Sequence, residues 1–279
     1  RWLSDWSSDV CSSDLVERNV ALLTGGTGAE RLPAEILLLF DVSHSVMGKN
    51  LLNSIVIRQT LLESLGDHVR VGVYGFGTKL KRFCLPTRDQ AVLEEALRGL
   101  FDYTQDSTML YEAIAAAARH AATEGGDVTR LMIVFSDGQA TSGARPREAI
   151  EAARRLGIPV YPVLLGGEGV ARISRKVFSG GPAMPPTPEQ SHIRAVERHM
   201  HEFASIGAAT GGHSYDPPVV NAAVVRQILE SLAGRIRSEY VAGYYLPPSS
   251  GTGKPRRVRV VLRRKGLGEL YGGSRTVID

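Results

Sequence analysis

Short apolar runs alternate with longer amphipathic stretches from about residue 34 onward. Runs of β-branched and apolar residues are typical of strands, whereas apolar residues spaced three or four apart are typical of helices. The pattern predicts strands at residues 35–40, 69–76, 79–84, 130–136, 158–164 and, on weaker patterning, 212–215. It predicts helices near residues 50–65, 89–100, 109–123, 146–156, 194–209 and 221–237. Strands that alternate with helices indicate an α/β fold, in which a doubly wound, mostly parallel sheet carries helices on both faces.

Two parts of this pattern depart from strand-helix alternation. The short gap at "FGTKL" suits a hairpin, so the strand at 79–84 is expected to be an antiparallel edge strand. After the last long helix, the segments "SEYVAGYYLPP", "RRVRVVLRR" and "GELYGG" alternate polar and apolar residues. They predict a small antiparallel β appendage of two or three strands. We therefore place the main domain at residues 34–238 and the appendage at 239–279.

The first 33 residues do not share this pattern. Residues 1–15, "RWLSDWSSDVCSSDL", are aperiodic and resemble translated sequencing-adapter runs, so they are left out of the fold prediction. Residues 16–33 predict one strand and a Gly-rich linker that remain from an upstream region. Because the chain begins with Arg and shows no basic-then-apolar leader, it is interpreted as a fragment or a processed form.

Composition restricts the possible partners. No apolar run approaches the roughly 18 residues that a membrane-spanning helix needs, and the net charge is a mild +4. In the appendage Arg257, Arg259 and Arg263 share one strand face, which we interpret as a solvated face. No aromatic platform accompanies them, so nucleic-acid binding is not expected. With residues 1–15 set aside, Cys84 is the one remaining cysteine and is expected to be a small apolar strand residue.

Acidic residues end two of the apolar runs. Asp41 closes "ILLLFD" and Asp137 closes "LMIVFSD". In a parallel sheet both carboxylates emerge at the C-terminal edge, where open α/β sheets bind ligands, especially at a topological switch point. If the two strands are neighbours, the acids converge, and they repel each other unless a cation or a proton intervenes.

Three hydroxyl groups favour a cation. Ser43 and Ser45 follow Asp41 on the same turn, and Thr108 precedes another helix in "DSTMLYEAI". Two carboxylates and three hydroxyls form an all-oxygen set that suits Mg²⁺, Mn²⁺ or Ca²⁺ better than Zn²⁺. The alternative is that these residues only cap helices and form turns. The same alternative is favoured for Asp102 and Asp106.

The order of these elements resembles a known family. D-x-S-x-S after the first strand, a threonine before a mid-chain helix, and "SDG" after the fourth main strand resemble the metal-ion-dependent adhesion site of von Willebrand factor type A domains. The resemblance implies that Ser43, Ser45 and Thr108 reach the ion through their hydroxyls, and Asp41 and Asp137 directly or through water. It also implies that Thr108 joins the ion directly only when a ligand is bound.

Segments in the C-terminal half resemble one bacterial group within this family. "AATGGHSYDP", "IRSEYVAGYYLPP" and "RRVRVVLRRKGLG" resemble the bacterial, acidobacterial-type members of the family, which are mostly exported. The family's usual "DTSGSM" is "DVSHSV" here, so His44 replaces a glycine and adds bulk to the loop. The resemblance implies an exported protein, periplasmic, cell-envelope or extracellular.

Three functions remain open at this point. The first is a non-enzymatic module that binds an Asp or Glu carboxylate of a protein partner through the metal. The second is a structural or assembly domain with a vestigial metal site. The third is a Mg²⁺-dependent phosphatase with Asp41 as nucleophile, which is disfavoured because position 43 is Ser rather than a second acid. His199 and His201 lie two residues apart and so do not share a helix face, which argues against a metal pair there.

Overall fold

A computed structural model describes residues 20–23, 34–65, 69–124, 128–141, 144–166, 188–238, 241–244, 255–259 and 274–278. The chain divides into two compact units. One unit is Pro33–Ile236, and the other combines Arg1–Leu32 with Arg237–Asp279. Residues 1–15, the predicted "GELYGG" strand and most of the Gly/Pro-rich stretch 165–190 lie outside the described residues.

A five-stranded sheet forms the centre of the larger unit. Its strands are β2 (Ala34–Asp41), β3 (Val69–Phe76), β4 (Leu80–Thr87), β5 (Thr129–Ser136) and β6 (Val160–Leu164). They lie in the order β4-β3-β2-β5-β6, and β4 is the antiparallel edge strand that the short hairpin predicts. The other pairings are parallel. In this order β2 and β5 are neighbours, at the point where the strand order reverses. This arrangement confirms the predicted fold class.

Helices cover both faces of this sheet, because the central strands are apolar on both sides. The helices are α1 (His44–Met47), α2 (Ser54–Val56), α3 (Gln90–Phe101), α4 (Leu110–Thr123), α5 (Pro146–Arg155), α6 (Pro188–Thr210) and α7 (Ala222–Ser238). Side chains of α2, α3 and α7 pack in one core cluster, and those of α4, α5 and α6 pack in another. Among the described residues, no helix is long and apolar enough to cross a membrane.

The first helical region differs from the prediction of one helix over residues 50–65. Helix α1 ends at Met47, residues 48–53 are not helical, and α2 begins at Ser54. The helical path then continues as a π-helical turn at Ile57–Leu61 and a 3₁₀ turn at Leu62–Ser64. Asn50 has a positive φ of 51°, a left-handed conformation that an α-helix cannot contain. The apolar period of the sequence does not reveal this break, which depends on backbone conformation.

Two other expectations change. The weak strand predicted at 212–215 is reduced to an isolated bridge between Tyr215 and Val163. Helix α6 begins at Pro188 rather than near residue 194, so the end of the Gly/Pro-rich stretch, predicted as a surface excursion, is helical.

In the described residues of the smaller unit, the strands form two antiparallel pairs. β1 (Val20–Leu23) pairs with β7 (Val241–Tyr244), and β8 (Pro255–Arg259) pairs with β9 (Ser274–Ile278). The strand predicted within residues 16–33 therefore joins the C-terminal appendage in one sheet. β8 contains Arg257 and Arg259 of the predicted arginine face, and Arg263 lies outside the described residues.

A buried acid joins three strands at the opposite end of the sheet from Asp41. Glu35, only 3% exposed, lies in register with Arg70 on β3 and Arg130 on β5. The Arg70 guanidinium donates to Glu35 Oε1, and Arg130 Nε donates to Glu35 Oε2 over 2.8 Å. One carboxylate thus balances two cations where β2, β3 and β5 begin.

Replacing Glu35 with Gln should destabilise the protein by about 3 kcal/mol, because Arg130, with only 12% of its side chain exposed, loses an acidic partner and the more exposed Arg70 loses the same carboxylate. Chemical denaturation of the two proteins measures the difference. The matched control is Glu95→Gln, since Glu95 pairs with Arg98 on the surface with 74% of its side chain exposed. That control should stay within about 0.5 kcal/mol of the parent. Equal effects of the two substitutions would contradict a structural role for the buried acid.

Candidate metal centre

The loop after β2 turns sharply at Asp41. The backbone N–H of Ser43 donates to Asp41 Oδ1 over 2.9 Å, which folds the loop around the carboxylate. Ser43 is also the N-cap of α1, but its hydroxyl makes no capping bond. Instead, its Oγ lies 3.1 Å from Ser45 Oγ. Helix capping by the Ser43 side chain therefore does not explain the two serines.

The second acid approaches the same serines from β5. Ser45 Oγ donates to Asp137 Oδ2 over 2.8 Å. The N–H of Gln139 donates to Asp137 Oδ1 over 3.0 Å, and Gly138 makes this turn with a φ of 80°. A Cβ at Gly166 would lie 2.8 Å from the Asp137 Cβ, so glycine is needed where the chain leaves β6. Asp137 is 1% exposed.

Backbone hydrogen bonds bring the Thr108 loop to the other two loops. The N–H of Gln105 donates to Val42 O over 2.9 Å, beside the Asp41 turn. The N–H of Thr108 donates to Thr141 Oγ1 over 2.8 Å, and the N–H of Thr141 donates to Thr108 O over 2.9 Å, beside the Asp137 turn. Thr108 is 3% exposed, and within the described residues its hydroxyl makes no hydrogen bond.

The structure therefore joins four of the five predicted residues, Asp41, Ser43, Ser45 and Asp137, in one network of hydrogen bonds. The fifth, Thr108, lies on a loop that is hydrogen-bonded to the loops of both acids. The loops of the two acids leave the C-terminal edge of β2 and β5, at the switch point of the sheet, and the Thr108 loop, which joins α3 to α4, meets them there.

Ser136 also contacts the site and was not predicted from the sequence. It is fully buried, and its Oγ donates to Asp41 Oδ2 over 2.6 Å while accepting from the N–H of Gly138 over 3.1 Å. As the last residue of β5 it is directly beside the end of β2. In the sequence, the serine of "VFSDG" indicates only a turn. Its hydrogen bond to Asp41, 95 positions earlier, is visible only in the folded chain.

The two acids carry their charge in an unfavourable place. Burial, with a smaller contribution from the nearby Asp137 charge, raises the pKa of Asp41 to about 6. Hydrogen bonds from Ser136 and Ser43 act in the opposite direction. Within the described part of the chain, neither acid forms an ion pair with Lys, Arg or His. Two neighbouring carboxylates without a basic partner, together with the hydroxyl oxygens around them, fit the binding of a hard cation at this place.

Other candidates lie outside this network. Asp102 follows the last residue of α3 and is exposed. Asp106 is 96% exposed and lies 3.8 Å from His44, across the rim of the site. His199 and His201 lie on α6, and the described residues contain no group of three or more His, Cys, Asp or Glu side chains placed to hold a metal. Cys84 lies half-buried in β4, as a small apolar strand residue should.

Comparison with known proteins defines the family. The family model of the von Willebrand factor type A domain matches residues 35–187, and the chain belongs to this family. No curated protein matches the sequence. Domains of this family are generally interaction modules rather than enzymes.

Solved structures similar to this chain have low sequence identity. A von Willebrand factor type A protein from Catenulispora acidiphila is 14% identical, with a TM-score of 0.50 over 96% of this chain and 73% of that one. BatB from Bacteroides thetaiotaomicron is 17% identical, with a TM-score of 0.48 over 74% of this chain and all of that one. Proximal thread matrix protein 1 from the mussel byssus, with a zinc-occupied adhesion site, is 14% identical, with a TM-score of 0.49 over 81% of this chain and 49% of that one. At this identity the likeness concerns the fold alone.

Proposed function

We propose that this chain is a non-enzymatic protein-binding module that holds one divalent cation with Asp41, Ser43, Ser45, Thr108 and Asp137. The cation, when bound, supplies a positive centre for an Asp or Glu carboxylate of a protein partner. Membership of the von Willebrand factor type A family supports an interaction role. The particular ligand set is our assignment from the residues and their geometry.

The observation that carries the proposal is the pair of buried carboxylates. Asp41 and Asp137 are each 1% exposed, and Ser45 and Ser43 connect them. Burying two neighbouring negative charges without a cation is costly, so a purely structural site would favour an amide or a hydroxyl at one position. A structural domain without a cation does not account for the presence of both buried acids.

The donors favour a hard ion. Carboxylate and hydroxyl oxygens suit Mg²⁺, Mn²⁺ or Ca²⁺, whereas Zn²⁺ prefers nitrogen and sulfur ligands. We propose Mg²⁺ as the resident ion, with Mn²⁺ or Ca²⁺ as substitutes. Five protein oxygens leave one of the six positions that such an ion usually fills. A carboxylate brought by the partner can occupy that position.

The surroundings of Asp41 do not support the phosphatase alternative. Its carboxylate accepts hydrogen bonds from the N–H of Ser43 and the hydroxyl of Ser136, and neither is an acid or base at neutral pH. A carboxylate nucleophile also needs a proton donor for the leaving group, and position 43 is a hydroxyl. We therefore propose binding without catalysis. We further propose that the protein acts outside the cytoplasm, as the resemblance to exported bacterial members implies.

Calorimetric titration tests the metal site directly. Mg²⁺ or Mn²⁺ should bind once per chain, and Asp137→Ala should abolish the heat of binding because a buried anionic ligand is lost. Asp106→Ala is the matched control, since Asp106 is an exposed acid on the rim of the same site. The affinity of Asp106→Ala for the divalent cation should match that of the parent. Unchanged binding by Asp137→Ala would contradict the proposed ligand set.

Ser136→Ala should weaken divalent-cation binding about tenfold, because Asp41 loses a donor that favours its charged form. The decrease should be larger at pH 6 than at pH 8, since a further rise in the pKa of Asp41 protonates it in that range. Titrations at the two pH values measure the effect. Ser64→Ala is the control, because Ser64, in the 3₁₀ turn, donates its hydroxyl to the backbone carbonyl of Thr60 and to neither acid of the site. A pH-independent loss would indicate only a folding defect.

A further inference from the structure

The Thr108 loop differs from the loops of the two acids in how it holds its ligand. It comprises residues 102–109, between α3 and α4. Hydrogen bonds hold the Asp41 and Asp137 carboxylates themselves. Within the described residues the Thr108 hydroxyl makes no such bond, so its position depends on the backbone that carries it.

The turn between β3 and β4 supports this backbone at two points. Directly after Thr108, the N–H of Met109 donates to Gly77 O over 2.8 Å. Before Thr108, the side-chain oxygen Oε1 of Gln105 accepts from the N–H of Thr78 over 2.7 Å and from the Thr78 hydroxyl over 3.0 Å. Thr108 therefore lies between two contacts with the same turn.

Gln105 also connects this turn to the Asp41 loop and to β4. Its backbone N–H donates to Val42 O over 2.9 Å, and it forms an isolated parallel bridge with Ser43. Its side-chain amide donates to the Tyr103 hydroxyl, and the Tyr103 ring packs edge-on against Phe83 of β4. The backbone and both polar groups of the Gln105 side chain are thus held in place.

The close approach of Gln105 leaves no room for a side chain on the turn. A Cβ at Gly77 would lie 2.4 Å from Gln105 Oε1 and 2.6 Å from Gln105 Cβ. Gly77 does not adopt a left-handed backbone conformation. The contact with Gln105, and not the backbone conformation, therefore requires glycine at this position.

A second restraint acts on Thr108 from the other side. Thr141 exchanges two hydrogen bonds with the Thr108 backbone, over 2.8 and 2.9 Å, and fixes it relative to the Asp137 turn. Gln105 fixes the same loop relative to Asp41 and the β3–β4 turn. A hydroxyl that joins a cation between the two acids needs both restraints, because it must reach one point between two loops.

We propose that Gln105 is a positioning residue, which holds the Thr108 hydroxyl where it can join a cation bound by the two acids. This role rests on the proposed function and adds a residue that contacts neither the ion nor the partner. Gly77 provides the space for the contact. Because Gln105 acts only through Thr108, its effect on binding should vanish where the Thr108 hydroxyl is absent.

Amide hydrogen exchange in EDTA tests the restraint in the absence of any ion. Gln105→Met keeps the length of the side chain and removes its amide group. The Thr108 and Met109 amides should exchange about fivefold faster than in the parent, the usual effect of losing one hydrogen bond, while the amide of Leu38 in the core keeps its rate. Gly77→Ala should act in the same way, because its methyl group displaces Gln105. Unchanged exchange of both loop amides would overturn the positioning role, whatever the protein binds.

A double-mutant cycle tests the link between Gln105 and the Thr108 hydroxyl. The ligand is the blocked peptide acetyl-Gly-Asp-Gly-amide in saturating Mg²⁺, with affinity measured from NMR shifts. Gln105→Met should weaken peptide binding about fivefold when Thr108 is present. In a Thr108→Ala background the same substitution should cause no further loss. Gln90→Met is the matched control and should match the parent, because Gln90 is exposed at the start of α3.

The outcomes distinguish the positioning role from the proposed function. Equal losses of affinity with and without the Thr108 hydroxyl would overturn the positioning role and leave carboxylate binding intact, and so would a Gln105→Met protein that binds the peptide like the parent. A parent protein that binds Mg²⁺ but not the peptide would overturn the proposed function, and the positioning role with it.

Discussion

Asp41→Asn should stabilise the metal-free protein and abolish its binding of divalent cations. The carboxylate is 1% exposed, and burial raises its pKa from 3.8 to about 6. Its ionisation therefore costs stability in the folded state, by up to about 3 kcal/mol at neutral pH. The amide removes this cost and can still accept the hydrogen bond from the Ser43 N–H. The Ser136 hydroxyl can rotate to accept from the amide NH₂.

The stability gained by Asp41→Asn in the metal-free protein should increase with pH. The folded protein holds the Asp41 proton up to about pH 6, whereas the unfolded chain releases it near pH 3.8. Between these values the folded state binds more protons, so the Asp41 contribution to stability falls as pH rises. The advantage of Asp41→Asn should thus be small near pH 4 and reach its full size above pH 6.

Urea denaturation in EDTA at several pH values measures this difference, and calorimetric titration measures the loss of cation binding. Asp106→Asn is the control, because Asp106 is 96% exposed and should change neither property. In saturating Mg²⁺ the order of stability should reverse, since only the parent gains free energy from the ion. Lower stability of Asp41→Asn in EDTA at pH 7 would show that the carboxylate serves the fold rather than a ligand.

Thr108→Ala should reduce binding of a carboxylate ligand far more than binding of Mg²⁺. The Thr108 backbone is held by Thr141, but within the described residues its hydroxyl makes no hydrogen bond. The loop can therefore keep its shape when the hydroxyl is removed. By resemblance to the family, this hydroxyl joins the ion directly only when a ligand is bound, so its loss acts mainly on the ligated state.

Acetyl-Gly-Asp-Gly-amide serves as the carboxylate ligand for this measurement, and Mg²⁺ affinity is determined separately by calorimetry. Thr108→Ala should retain Mg²⁺ within a few-fold and lose at least about tenfold in peptide affinity, the value of one charge-assisted contact. Thr123→Ala, at the far end of the helix α4 that follows Thr108, should match the parent. A parallel loss of metal and peptide would place Thr108 among the permanent ligands.

The sequence by itself determined the α/β class, the order of strands and helices, and the five candidate ligands. These follow from local properties: apolar period distinguishes strand from helix, and Asp41 and Asp137 each end a run that must be buried. The chemistry of two acids and three hydroxyls indicates a hard cation without any knowledge of distance. The resemblance of these residues, in their order along the chain, to the adhesion site of the family implies how each of them reaches the ion.

Tertiary structure alone decided which residues meet. Ser136 donates to Asp41 only because β2 and β5 are neighbours, and no local pattern encodes that register. Glu35 contacts Arg70 and Arg130 for the same reason. The helix predicted from about residue 50 begins only at Ser54, because apolar spacing does not report backbone conformation, here the positive φ of Asn50.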